Sequence, residues 1–89
     1  MSDKEIVVEG FGPFVVRVRE GASQTRHEVT LASSAPLGVD PAALVRAAFA
    51  FLLDREPKEA ILARFDLGMI PRFYPEFERE LPRYLDKVG

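Results

Sequence analysis

DPAALVRAAFAFLLD, residues 40 to 54, opens with an aspartate and a proline and then carries one charged side chain, Arg46, before its closing acid. Aspartate before proline reads as an N-cap followed by the first helical position. The carboxylate accepts from orphan amides of the first turn, and proline needs no amide there. The composition predicts a helix over 41–54. Its apolar residues fall on nearly every face rather than on one stripe, and a helix of that kind is covered on two sides. It is too short to cross a bilayer, which takes about 20 residues. The rest of the chain has to supply a layer on each flank.

The upstream layer reads as strands. EIVVEG (5–10), FVVRVRE (14–20) and RHEVTLA (26–32) are β-branched runs separated by GFGP and GASQT, both turn compositions. They predict a three-stranded antiparallel meander. Alternation puts Phe14, Val16 and Val18 on one face and Val15, Arg17 and Arg19 on the other. Matching apolar faces pairs Val18 with Val29 and Val16 with Leu31. It sets Arg19 opposite Glu28 and brings Glu20 opposite His27.

The downstream layer reads as short proline-initiated helices. After the loop SSAPLGV and the first helix, REPKEAILARF repeats the same grammar and predicts a second helix over 57–65. RFDLGMIPRFYPEFERELPRYL (64–85) then holds three prolines and five aromatic rings. Asp66 can cap a turn at LGMI, Pro75 opens a third helix over 75–81, and Pro82 should end or kink it. Ile70, Phe73, Phe77, Leu81 and Tyr84 step by three or four, the spacing of one buried stripe. The prolines lie four and seven residues apart with Phe and Leu between them, which does not suit a PxxP ligand. The expected architecture is one α+β domain over 1–89, a β-meander followed by three helices packed on one face of the sheet.

Composition limits the chemistry. The 89 residues include no cysteine and one histidine, so disulfides, a thiolate nucleophile and the usual zinc ligand sets are not available within one chain. No metal site and no cofactor are expected. A formal charge of −2, with charges interspersed, gives no strong footprint for nucleic acid or anionic lipid. The N-terminus lacks a basic region followed by an apolar stretch, so a soluble, cytoplasmic protein without a membrane partner is expected.

FLLDREPKEAILARFDLGMIPRFYPEFERE, with VRVREGASQTRHEVTL upstream, resembles a family of small uncharacterised proteobacterial α+β proteins. In that family a similar strand pair precedes an EPKESIL…FDL…I.RYFPEYE-like block. The likeness covers residues 15 to 80. This chain has Ala60 where the family has serine and Phe73–Tyr74 in reversed order, and neither departure removes a catalytic group. The resemblance implies a folded bacterial domain and brings no activity, cofactor or partner with it.

Three sets of side chains are candidates for function. His27 beside Glu20 offers a general base, which also needs a cleft and a positioned substrate. Arg17, Arg19 and Arg26 form a basic ribbon of the sort that touches phosphates in small nucleic-acid-binding regulators, although Glu28 should neutralise Arg19. Phe65, Met69, Phe73, Tyr74 and Phe77, added to an all-round apolar helix, are much for a small sheet to cover. Ser23, Ser33 and Ser34 lack a nucleophile-elbow context, GFG precedes a strand rather than a helix, and Pro71 and Pro75 spoil any recognition helix. The leading expectation is a non-enzymatic protein-interaction or self-association module, a homodimer among its forms, using the aromatic segment.

Overall fold

The structure, a computed structural model, describes residues 4–10, 13–31 and 39–88. The loop expected at 33–39, with Ser33 and Ser34, lies outside the described residues except for Val39, as do Phe11 and Gly12 of the first turn.

Strands β1 (Lys4–Glu9), β2 (Phe14–Glu20) and β3 (Ser23–Thr30) form an antiparallel meander. A fourth strand, β4 (Arg64–Asp66), joins β3 in parallel, so the sheet is four-stranded and mixed in the order β1-β2-β3-β4. The expected three-stranded antiparallel sheet is thus incomplete.

The expected register is also corrected. Val16 stands opposite His27, Phe14 opposite Val29 and Glu20 opposite Ser23, four residues from the pairing that matches Val18 with Val29. The hairpin closes on Gly21 and Ala22 alone. Gly21 has φ +60°, which two-residue hairpin turns require at their first central position and which costs glycine nothing. A slip of an even number of residues keeps every side chain on its face, so hydrophobic alternation cannot detect it. The inner face still carries Ile6, Val8, Phe14, Val16, Val18 and Val29, now joined by His27.

α1 (Pro41–Leu53) lies on that face. Asp40 caps it by accepting from the Ala43 amide at 3.2 Å. Positions two apart on a helix diverge by about 200°, and the two phenylalanines of this helix use that divergence. Phe49 faces the sheet, with ring centroids 5.3 Å from His27 and 5.9 Å from Phe65. Phe51 faces away and meets the edges of Tyr74, Phe77 and Tyr84 at 5.7, 5.0 and 5.6 Å. That is why α1 is apolar all round.

The expected second helix over 57–65 does not form. Pro57 is extended (ψ 157°), a single 3-10 turn covers Lys58–Ala60, and Ile61 is extended again (ψ 134°) before β4 begins. In this form Ile61 is buried, Leu62 and Arg64 point out, and Phe65 takes its place beside Val29. Asp66 then accepts from the Gly68 amide at 2.8 Å and starts a 3-10 turn, Leu67–Met69. A Cβ on Gly68 would come within 2.9 Å of that carboxylate, which would have to shift to accommodate it.

α2 (Ile70–Phe73) is one turn long, and α3 (Phe77–Val88) begins later and runs farther than 75–81. Pro82 is inside α3 and does not end it. The helix gives up one intrahelical bond at that proline. In return it keeps Tyr84 against Phe51, and the Tyr84 hydroxyl donates to Asp54 at 2.5 Å. Arg55 ties the same corner together. Its guanidinium carbon is 3.6 Å from the Phe51 ring centre, and its nitrogens donate to Glu76 at 3.2 Å and to the Tyr84 hydroxyl at 3.4 Å.

Lys58, which the sequence reading leaves unremarked, is buried, and its ammonium donates to Glu59 at 2.7 Å and Glu20 at 3.3 Å. Glu20 thereby pins the tip of the β2–β3 hairpin to the 3-10 turn. The ammonium of Lys58 is the main reason the Glu59 carboxyl lies below its ordinary value of 4.5, and the Glu76 carboxyl is lowered by its own backbone amide and by Arg55. A lowered folded-state pKa gives stability that is present above the unfolded value and lost as pH falls through the folded one. The urea midpoint is therefore expected to hold near neutrality and fall below about pH 4.5. Glu59→Gln should make that acid fall shallower, and an unchanged slope would remove Glu59 from the account. Lys58, Tyr74 and Tyr84 are shifted upward, Lys58 first by Glu59, Tyr74 by Glu56 and Tyr84 by Asp54. Their contributions are present below the unfolded values, near 10, and fade as pH rises above them.

Candidate functional site

His27 and Glu20 are not a pair. His27 is 2% exposed, and both ring nitrogens are engaged, Nδ1 with the Leu62 carbonyl at 2.8 Å and Nε2 with the Thr25 hydroxyl at 2.9 Å. A carbonyl only accepts, so Nδ1 carries the proton and Nε2 faces the hydroxyl. Glu20 is at the hairpin tip with Lys58. The even-residue slip in register is what separates the two. His27 is a core tie between β3 and the 61–63 segment, reinforced by the Glu28 amide donating to the Ala63 carbonyl at 2.7 Å.

The arginine ribbon is on the outer face of the sheet, and each member has a carboxylate. Arg17 pairs with Glu9, Arg19 with Glu5 at 3.5 Å, and Arg26 with Glu28 at 3.4 Å. Arg19 is therefore neutralised from β1 and not by Glu28. Arg64, 3.7 Å from Glu28, adds a cation, and Asp66 beside Thr30 adds an anion. The face is a charge-balanced grid, unlike the net-positive surface that phosphate binding uses. A shallow hollow at its β4 end, lined by Glu28, Thr30, Arg64 and Asp66, has its polar groups engaged with one another.

The aromatic candidates divide. Phe77 is buried against Phe51, Phe65 is half-buried on Phe49, and Tyr74 is half-buried with its ring on Phe51. Phe73 leaves the expected stripe. α2 ends there, and the chain turns extended at Tyr74 (φ −131°, ψ 87°), so Tyr74 points inward and Phe73 outward. Phe73 is 64% exposed, Met69 36%, and Leu62, absent from the sequence reading, 55%. Among the described residues these are the exposed large hydrophobic side chains.

All three border one groove of about 240 Å³ between the end of α1 and the segment 60–74. Its base is Leu52, Ile61, Phe65 and Ile70. Its polar wall is Tyr74 and Glu56, joined by a hydrogen bond from the tyrosine hydroxyl to the carboxylate. That bond is the first cause of the raised Tyr74 hydroxyl pKa, with burial second. Leu62 could have been found in the sequence. In ARFDL, read as a strand instead of a helix end, charged and apolar residues alternate from Arg64 to Leu67, and continuing that period backwards puts Ile61 on the face of Phe65 and Leu67 and Leu62 on the face of Arg64 and Asp66.

Compared with protein-family models, with curated proteins and with solved structures, the chain matches none.

The site's chemistry has to be read from its own side chains. Among the described residues no group of three or more His, Asp or Glu side chains is placed to hold a metal ion. No helix of the described residues is long and apolar enough to cross a membrane. What the groove offers is apolar surface with one carboxylate at its wall.

Proposed function

We propose that the protein is a non-enzymatic protein-interaction module, self-association included, that works through the groove bordered by Leu62, Met69 and Phe73. The observation that carries this reading is the convergence of the exposed large hydrophobics on one hollow. A folded chain scatters such residues singly, whereas a contiguous apolar patch marks a binding surface. The groove is smaller than the roughly 300–1,000 Å³ of small-molecule pockets. A groove of this form suits apolar side chains of a protein.

Two measurements test the reading. Leu62→Ser and Phe73→Ser should each change the unfolding free energy by no more than about 0.5 kcal/mol, as at other surface positions. A loss of 2 kcal/mol or more, roughly the cost of truncating a core side chain, would make these residues core instead of interface. A photoreactive phenylalanine at position 73, irradiated in the cells from which the protein comes, should give a discrete adduct of higher mass. The same group at position 19, on the charged sheet face, should not. No adduct of any kind at position 73 would end the proposal.

A further inference from the structure

The groove, its carboxylate and the exposed ring at its border together indicate what fills it, an inference that rests on the groove being an interaction surface. Of the arginines, Arg17, Arg19, Arg26, Arg55, Arg64, Arg79 and Arg83 each lie within 4 Å of a carboxylate, whereas Arg46 and Arg72 have no such partner among the described residues. Arg72 is exposed and immediately precedes Phe73, the most exposed large hydrophobic of the described residues. Glu56, in the groove wall, receives the Tyr74 hydroxyl on Oε2, and no other side-chain partner is present among the described residues. The surface thus carries an exposed ring preceded in the chain by an exposed arginine with no carboxylate partner among the described residues, and the groove that this ring borders holds a carboxylate with acceptor capacity left.

We infer that the groove's occupant is the Phe73 ring of a second copy of this chain, with the partner's Arg72 against Glu56. A two-fold interface needs projection and hollow on the same patch, so that each copy gives what it receives, and this patch meets that condition. Space is sufficient, since a cavity of about 150 Å³ lined by Leu, Ile and Phe takes a benzene ring. The charges agree as well, because two-fold exchange sets each Arg72 against the carboxylate of the other copy and leaves no like-charge contact between those groups. The area sets the strength. At roughly 200 Å² for a fully exposed large side chain, Leu62, Met69 and Phe73 together offer about 300 Å², well short of the ~800 Å² per partner of a stable interface. The dimer is weak and exchanges rapidly.

Sedimentation equilibrium of the purified chain from about 10 μM to about 1 mM, a range that spans weak association, should show the weight-average mass rising above the 10.0 kDa monomer toward twice that value. Phe73→Ser, at an exposed position, should keep the mass monomeric across the range with the fold intact by circular dichroism. Arg72→Glu and Glu56→Arg should each weaken association at least about tenfold, and mixing the two should restore it as a heterodimer, because the opposite charges then face each other. Should Glu56→Arg not fold, Arg72→Glu mixed with wild type supplies the test, being weaker than wild type alone. A monomer throughout the range, or a dimer indifferent to both Phe73→Ser and Arg72→Glu, overturns the inference. A discrete adduct at position 73 together with a strictly monomeric purified protein would overturn the self-pairing while leaving the interaction groove in place with a different protein in it.

Discussion

Phe51→Ala is expected to lower the unfolding free energy by about 3–5 kcal/mol, the range for removing a buried aromatic ring. A domain of this size has only about 5–15 kcal/mol in all, so the variant should be marginal at room temperature. The reason is specific to this ring. Phe51 is fully buried, three other rings approach it edge-on, and the Arg55 guanidinium covers it. Removing it leaves Tyr74, Phe77 and Tyr84 facing a void and leaves Arg55 without its platform. The signature is measurable, because the chain has two tyrosines and no tryptophan and both tyrosines touch Phe51. The tyrosine near-UV circular dichroism should collapse along with the urea midpoint. Phe51→Leu should retain most of the stability and lose part of that signal. A loss under about 1.5 kcal/mol, within the cost of a conservative core swap, would show that α2 and α3 are held by something other than this cluster.

His27→Ala is expected to cost about 2–4 kcal/mol, combining lost packing against Phe49 with an orphaned Leu62 carbonyl and Thr25 hydroxyl. The damage should be localised. Hydrogen exchange at the Glu28 amide, which bonds the Ala63 carbonyl, should accelerate beyond the global loss, since the segment carrying Leu62 is what His27 holds. A general base at the hairpin tip would behave differently, leaving stability within about 0.5 kcal/mol. That result would reject the structural role.

The two effects trace the halves of the molecule that were unequally legible. The N-cap at Asp40, the all-round apolar character of 41–53, the inner face of β2 and the cap at Asp66 follow from local rules, because each depends on residues within one turn or on a strict period. The hairpin register did not follow, since a shift of four residues preserves the faces, and only the two-residue turn at Gly21 and Ala22 selects the pairing. The segment 57–65 did not follow either. Pro57 and Glu59 mimic a helix start, but pairing beside β3, Phe65 next to Val29 and a histidine bond to Leu62 outweigh a helical propensity worth tenths of a kcal/mol per residue. Pro82 was overridden in the same way, by Tyr84 docking on Phe51 and Asp54.

For the groove, the division is the same. The sequence by itself determined that apolar side chains from 65 to 77 were plentiful, that α1 needed cover on both flanks, and that no thiol or multi-histidine chemistry was available. Which rings turn outward was decided by tertiary structure alone. Phe73 and Tyr74 are adjacent and nearly alike in size, and one extended residue at the end of α2 sends Tyr74 to Phe51 and Glu56 and leaves Phe73 beside Arg72 in the solvent. Hydrophobic content is a local property of the chain, whereas exposure depends on where the backbone leaves the helix, as it does at Tyr74, and on contacts distant in sequence such as Tyr74 with Phe51.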